Sequence, residues 1–161
     1  MPLSRLVILL ALLITCLAPL FAHGDGKLTA YEVLEAYDFP VGLIPKGVTG
    51  YELNRETGEF SAYLDQTCKF PIESYELEYK PTVTGIISKG RLRNLNGIHV
   101  KVLFLWLSIV EVERDGDEID LSVGIASANF PIDNFLESPQ CGCGFDCNNL
   151  IQESAGLVSS A

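Results

Sequence analysis

Histidine and basic charge are scarce in this chain of 161 residues. It has two histidines, and 11 Lys+Arg stand against 21 Asp+Glu, for a formal net charge of −10. A surface this acidic repels phosphate backbones and anionic head groups. It argues against nucleic acid as a partner and against adsorption to anionic lipid. Catalytic fingerprints are missing too. There is no P-loop and no dinucleotide-binding glycine pattern. Ser61, Ser74, Ser88, Ser108, Ser122, Ser127 and Ser138 all lie outside any G-x-S-x-G elbow. No cofactor is expected. No N-x-[ST] sequon occurs, so N-glycosylation is not expected.

What is present begins with a leader-like segment. Arg5 is followed by an apolar run from Leu6 to Leu20, broken only by Thr15 and Cys16, and then by Ala22, His23 and Gly24. A basic start, an apolar stretch and small residues at the end are the marks of a secretory signal peptide. Cleavage is expected after Gly24, with Ala22 the second choice. The alternative, a membrane anchor, needs about 20 apolar residues, and the run is short for it. Residues 1–24 are therefore read as a signal peptide, 25–149 as one β-rich domain and 150–161 as a flexible tail. Loss of Arg5 brings the charge to about −11. The expected location is extracellular, including the cell wall, or another compartment of the secretory pathway. No retention tetrapeptide ends the chain, and no stable membrane insertion is expected after cleavage.

Beyond the leader there are four cysteines, Cys68, Cys141, Cys143 and Cys147. An even count in an exported chain reads as two disulfides. A bond between Cys141 and Cys143 would strain most backbones. One bridge should therefore run from Cys68 to Cys141 or Cys143, and the other should end at Cys147. The competing reading, a zinc site, has only His99 to add to the thiolates, and no metal is expected.

Along the domain, Thr29 and Glu32 form a capping box, and Ala30, Val33, Leu34 and Tyr37 make an apolar helical stripe that Pro40 and Gly42 end. The apolar loop 39–47 should either tuck under the domain or line a pocket rim. Strand-like alternation follows at 47–53, at Phe60, Ala62 and Leu64, after Cys68, and at Leu77 and Tyr79. Pro81 is expected to end a strand or mark an edge. Gly85 and Gly90 read as bulges or bends, and Asn96-Gly97 as a tight turn. Residues 98–112 read as one strand region, with Ile98, Val100, Val102, Phe104 and Trp106 on one face and Leu103, Leu105 and Leu107 on the other. A strand apolar on both faces must be covered on both. Arg114 to Asp117 is a hairpin turn leading to Ile119, Leu121 and Val123. The whole predicts a mostly β domain, an antiparallel barrel-like or sandwich fold with one N-terminal helix.

Two features carry functional expectations. Leu103, Leu105 and Leu107, with Leu43 and Ile44 of the apolar loop, could line a pocket for an apolar or lipid-like small molecule; packing under the helix is the alternative. The acidic group Glu111, Glu113, Asp115, Asp117, Glu118 and Asp120 reads as a solvated hairpin. A weak calcium site or a contact surface for an extracellular protein partner is the alternative there, without EF-hand spacing. A Ser-His-acid hydrolase would have to use His99, in a triad assembled by the fold rather than by sequence order.

Several of these stretches together resemble one plant family, that of domain of unknown function 538. They are A-Y-E-V-L-E-A-Y at 30–37, P-x-G-L-I-P-K-G-V at 40–48, T-G-I-I-S-K-G at 84–90, K-V-L-F-L-W at 101–106 and P-Q-C-G-C-G-F-D-C at 139–147. The resemblance implies a β-rich, barrel-like domain carrying a signal peptide. It also implies a comparison with lipid-binding domains of the bactericidal permeability-increasing type, links to stress responses and trichome growth, and a suggested ester-hydrolase role. It supplies no agreed set of catalytic residues.

Overall fold

Thr29 starts the first element in the computed structural model, which describes residues 26–145 and Cys147. The segments read above as signal peptide and tail lie outside the described residues. Thr29 Oγ1 accepts from the Glu32 amide at 3.2 Å, and the Glu32 carboxylate accepts from the Thr29 amide at 2.7 Å. This reciprocal cap satisfies otherwise orphaned donors of helix α1 (Ala30–Ala36). Val33 and Leu34 are its buried residues. The apolar loop that follows tucks inward. Phe39, Leu43 and Pro45 are buried around a 3-10 turn, Val41–Leu43. The Leu43 carbonyl accepts a hydrogen bond from the buried Tyr79 hydroxyl at 2.7 Å. Burial pushes the Tyr79 phenol above its ordinary range, so it stays protonated as that donor.

Nine strands follow: β1 (Val48–Leu53), β2 (Glu59–Leu64), β3 (Cys68–Ile72), β4 (Tyr75–Ser88), β5 (Arg91–Val102), β6 (Leu105–Ser108), β7 (Glu111–Asp115), β8 (Glu118–Ser122) and β9 (Ser127–Pro131). They form one antiparallel sheet in the order β1-β2-β4-β5-β7-β8-β9, with β3 also on β4 and β6 also on β5. The sheet is curled but not closed, as no ladder joins β9 to β1 among the described residues. The fold class is thus the one expected: mostly β, antiparallel, with an N-terminal helix.

The long strands β4 and β5 are the spine. The first half of β4 pairs with β3 and the second half with β2. The first residues of β5 pair with β7 and its last with β6. Between the halves the register shifts, and Lys80 and Pro81 have no partner in any of these ladders. Pro81 therefore neither ends the strand nor lies at a sheet edge. It occupies the bulge, the one interior place where a residue without an amide hydrogen costs no ladder bond.

The structure departs from two further expectations. Asn96-Gly97 is not a hairpin turn; it lies within β5, and Gly97 has φ 94° opposite the β4 bulge. The β4–β5 turn is at Lys89-Gly90 instead. The region 98–112 is not one strand. The chain reverses at Leu103-Phe104, so Val102 faces Leu105 and His99 faces Ser108. No glycine, proline or asparagine marks that reversal, which is why it was illegible.

The C-terminal stretch is fastened across the sheet. Cys68 is bonded to Cys141 and Cys143 to Cys147. Pro139 accepts from the Lys46 amide at 2.9 Å, and the Ser138 hydroxyl donates to the Val41 carbonyl at 3.0 Å. At one end of the curled sheet α1 acts as a stopper. The Tyr37 carbonyl accepts from Gly90 at 2.8 Å, and Arg114 donates to the Asp38 carbonyl at 2.9 Å. No helix among the described residues is long and apolar enough to cross a membrane.

Candidate functional site

The end of the sheet away from α1 is open. There the β5–β6 hairpin and the β8–β9 turn face each other across an apolar cavity of about 200 Å³. Strand alternation puts Val100 and Val102 on its wall, and Leu107 joins them as the cross-strand partner of Val100. Tyr75 and Leu77 come from β4, and Val123, Ala128 and Phe130 complete the opposite wall. The space persists because that wall carries Ala126, Ser127 and Ala128, whose short side chains leave the volume inside the curled sheet unfilled.

A second, smaller cavity of about 70 Å³ lies deeper, under α1. Val33, Leu34, Leu43, Ile44, Phe60 and Leu95 are among its lining residues. Leu77, Ile109 and Leu121 line both spaces. A row of apolar side chains is thus all that parts the open cavity from the deeper one.

The five leucine and isoleucine positions singled out from sequence separate into three groups. Leu107 lines the open cavity. Leu43 and Ile44 line the deeper one. Leu103 and Leu105 line neither, because the reversal at Leu103-Phe104 carries them to an exposed hairpin tip. Tyr75, Ala128 and Phe130 were missed. Val123 was legible as the end of the Ile119, Leu121, Val123 alternation. The alanines were not, because a missing side-chain volume has no pattern of its own.

Outside the cavities the strands assemble a polar row that no motif announces. Lys69 faces Glu78, Glu78 faces His99, and His99 faces Ser108 on four neighbouring strands. Lys69 Nζ is 3.1 Å from the Glu78 carboxylate, and Lys80 pairs with it as well. The Lys80 hydrogen bond, assisted by Lys69 and opposed by burial, holds the Glu78 carboxyl below its usual range. His99 Nδ1 is 3.8 Å from Glu78 Oε1, is buried and has no hydrogen-bond partner among the described residues. Carboxylate, imidazole and hydroxyl thus follow one another across three strands, the order a nucleophilic serine would need. None of the three lines either cavity.

The acidic hairpin of β7 and β8 is tied into surface pairs. Arg91 bridges to Glu111 and Asn129 donates to Glu118 at 3.1 Å. Among the described residues no group of three or more His, Cys, Asp or Glu side chains is arranged to hold a metal ion.

Comparison with known proteins adds the family. The family model described as protein of unknown function, DUF538, matches residues 30–136. That span contains four of the five resembling stretches, and the cysteine-rich motif at 139–147 lies beyond it. An uncharacterised protein of Arabidopsis thaliana is 30% identical over 95 residues, which cover 58% of this chain and 55% of that protein. The chain therefore spans about half the length of the curated relative it matches. Since the model takes in well over half of its residues, this chain belongs to the plant DUF538 family.

Proposed function

We propose that this chain is a secreted, non-enzymatic module that binds an apolar or amphipathic small molecule between the β5–β6 hairpin and β8–β9. The observation that carries the reading is the open apolar cavity of about 200 Å³. An apolar cavity of about 150 Å³ is enough for a benzene-sized guest. Whole drug-sized ligands need roughly 300 Å³ or more. The guest is accordingly a small apolar molecule, or the apolar end of a longer one whose polar part stays outside. Secretion is supported by the leader-like sequence and by two disulfides, which persist in oxidising compartments.

Native mass spectrometry of protein purified from its own tissue tests this. The expected result is a carried ligand, or a mass shift with members of a lipid panel. Ala128→Phe, which fills the cavity, should weaken that binding at least tenfold. A protein that carries nothing and shifts with no member of the panel overturns the reading.

The row Glu78, His99 and Ser108 favours a second reading, an ester hydrolase. In it Ser108 Oγ attacks the ester carbonyl while His99 takes its proton and Glu78 orients the imidazole. Against it, Glu78 is already engaged by Lys69 and Lys80, and none of the three residues lines either apolar cavity, where water would be excluded. His99→Ala and Ser108→Ala should each abolish turnover of a chromogenic ester if this reading holds. Unchanged turnover dismisses those residues.

A further inference from the structure

The tip of the β5–β6 hairpin is Leu103-Phe104-Leu105-Trp106. Leu103 is 87% exposed, Phe104 80% and Leu105 56%. In the β8–β9 turn Ile125 is 95% exposed. Apolar residues scattered singly over a surface need no explanation, but an exposed consecutive run does. The backbone adds an independent sign. Leu103 has φ 57°, a left-handed conformation disfavoured for any residue with a β-carbon. A two-residue hairpin turn ordinarily places glycine or asparagine there. Here a strained backbone holds a leucine out in water, where it adds nothing to the core.

The two exposed tips share one rim. Val102 and Leu107 flank the first, Val123 and Ala126 flank the second, and all four line the open cavity. We infer that this rim is a docking surface for a phospholipid bilayer with electrically neutral head groups. Leu103, Phe104, Leu105 and Ile125 enter the interfacial zone, and Trp106 sits at the head-group level that amphipathic rings favour. Lys69 and Lys101 hold their ammonium groups 5.0 and 5.8 Å from the Trp106 ring. From there their flexible stems reach the lipid phosphates.

Charge sorting picks out the neutral surface. The acidic turn of the β7–β8 hairpin lies at the other end of β8, roughly 17 Å from the rim for a five-residue strand. Near the rim, Lys69 is paired with Glu78 at 3.1 Å, and Lys101 faces Glu76 as its cross-strand partner. The docking end is therefore close to neutral in a chain of net charge −10. Docking goes beyond the binding reading above, because it needs the tips and not a ligand in the cavity.

Trp106 is the only tryptophan in the sequence, so intrinsic fluorescence reports directly on the tip. With phosphatidylcholine vesicles, the oxidised mature protein, freed of its apolar leader, should co-float. Its emission should shift to the blue and be quenched by lipids brominated along the acyl chains. The double variant Leu103→Ser, Phe104→Ser alters only exposed side chains. It should lower vesicle partitioning at least tenfold with an unchanged far-UV spectrum. No emission change and no co-flotation overturns the inference. Binding confined to anionic vesicles and abolished by salt also overturns it. A lipid-free dimer that the double variant dissolves assigns the tip to a second copy of the chain instead. Flotation retained alongside a failed ligand panel would dismiss the cavity reading alone.

Discussion

Replacing Cys68 and Cys141 together by alanine lowers the stability of the oxidised chain by about 4 kcal/mol. The bond between them spans 73 residues, from β3 to the stretch beyond a second 3-10 turn, Ile132–Phe135. Cross-linking a loop of that length removes much of the freedom of the unfolded chain, and the loss grows with the logarithm of loop length. The second bond spans only four residues. On the same relation, replacing Cys143 and Cys147 costs roughly 2.5 kcal/mol less. The contrast makes the test specific: urea unfolding midpoints of the two double variants should differ clearly and in this order. Equal midpoints would mean that the bond acts through native packing rather than through the unfolded state.

The first substitution also has a local consequence. Cys68 is fully buried, and the strand it belongs to receives the Gly142 amide on the Lys69 carbonyl at 2.6 Å. The attached stretch holds the apolar loop in place through Pro139 to Lys46 and Ser138 to Val41. Leu43 and Ile44 of that loop line the deeper cavity. Amide exchange at Lys46 should therefore quicken before that of the β4–β5 ladder does. In this way a covalent link in the frame reaches the walls of the deeper cavity, which shares Leu77, Ile109 and Leu121 with the proposed binding region.

How much of this was legible before the fold was seen depends on the range over which each cause acts. Thr29 and Glu32 are three residues apart and cap their own helix, so the helix could be read locally. Arg114 to Asp117 makes a charged, glycine-containing turn between alternating strands, and it too was legible. The Leu103-Phe104 reversal was not, because apolar residues there read as a continuing strand. The positions expected to line a pocket were parted for the same reason. Leu107, Leu43 and Ile44 line cavities, while Leu103 and Leu105 were assigned to a strand face that does not exist. The row of Glu78, His99 and Ser108 could not be read at all, since register between three strands creates it. Of the four cysteines, sequence restricted the pairing to two arrangements, and the position of Cys141 against β3 selects one.

Gly97→Ala should destabilise the domain by about 3 kcal/mol or more, and it shows why Asn96-Gly97 deceived the sequence reading. An Asn-Gly pair suits a tight turn because glycine tolerates positive φ. A strand bulge needs the same tolerance, and only the neighbouring strand decides between the two. Gly97 has φ 94°, and a β-carbon on it would fall on the Thr82 carbonyl oxygen of β4. Gly47 is the natural control, for its φ is 99° and, apart from its chain neighbours, none of the described residues lies within 4 Å of where its β-carbon would be. Gly47→Ala thus measures the backbone conformation alone, at about 1–2 kcal/mol. The excess at Gly97 measures the contact between two backbones, neither of which is a flexible side chain that can swing away. That contact is where β4 and β5 bend, and the bend sets β3 and β6 on one half of the spine and β2 and β7 on the other. Relief of the collision must push β4 and β5 apart beside the deeper cavity, which Val83 and Ile98 line. Because Leu77, Ile109 and Leu121 line both spaces, Gly97→Ala should also lower ligand binding in the surviving folded fraction, whereas Gly47→Ala should not. Thermal unfolding of the two variants side by side decides the matter. If Gly97→Ala proves no worse than Gly47→Ala, the backbones do not meet at the bend, and the curl of the sheet around its apolar interior has some other origin.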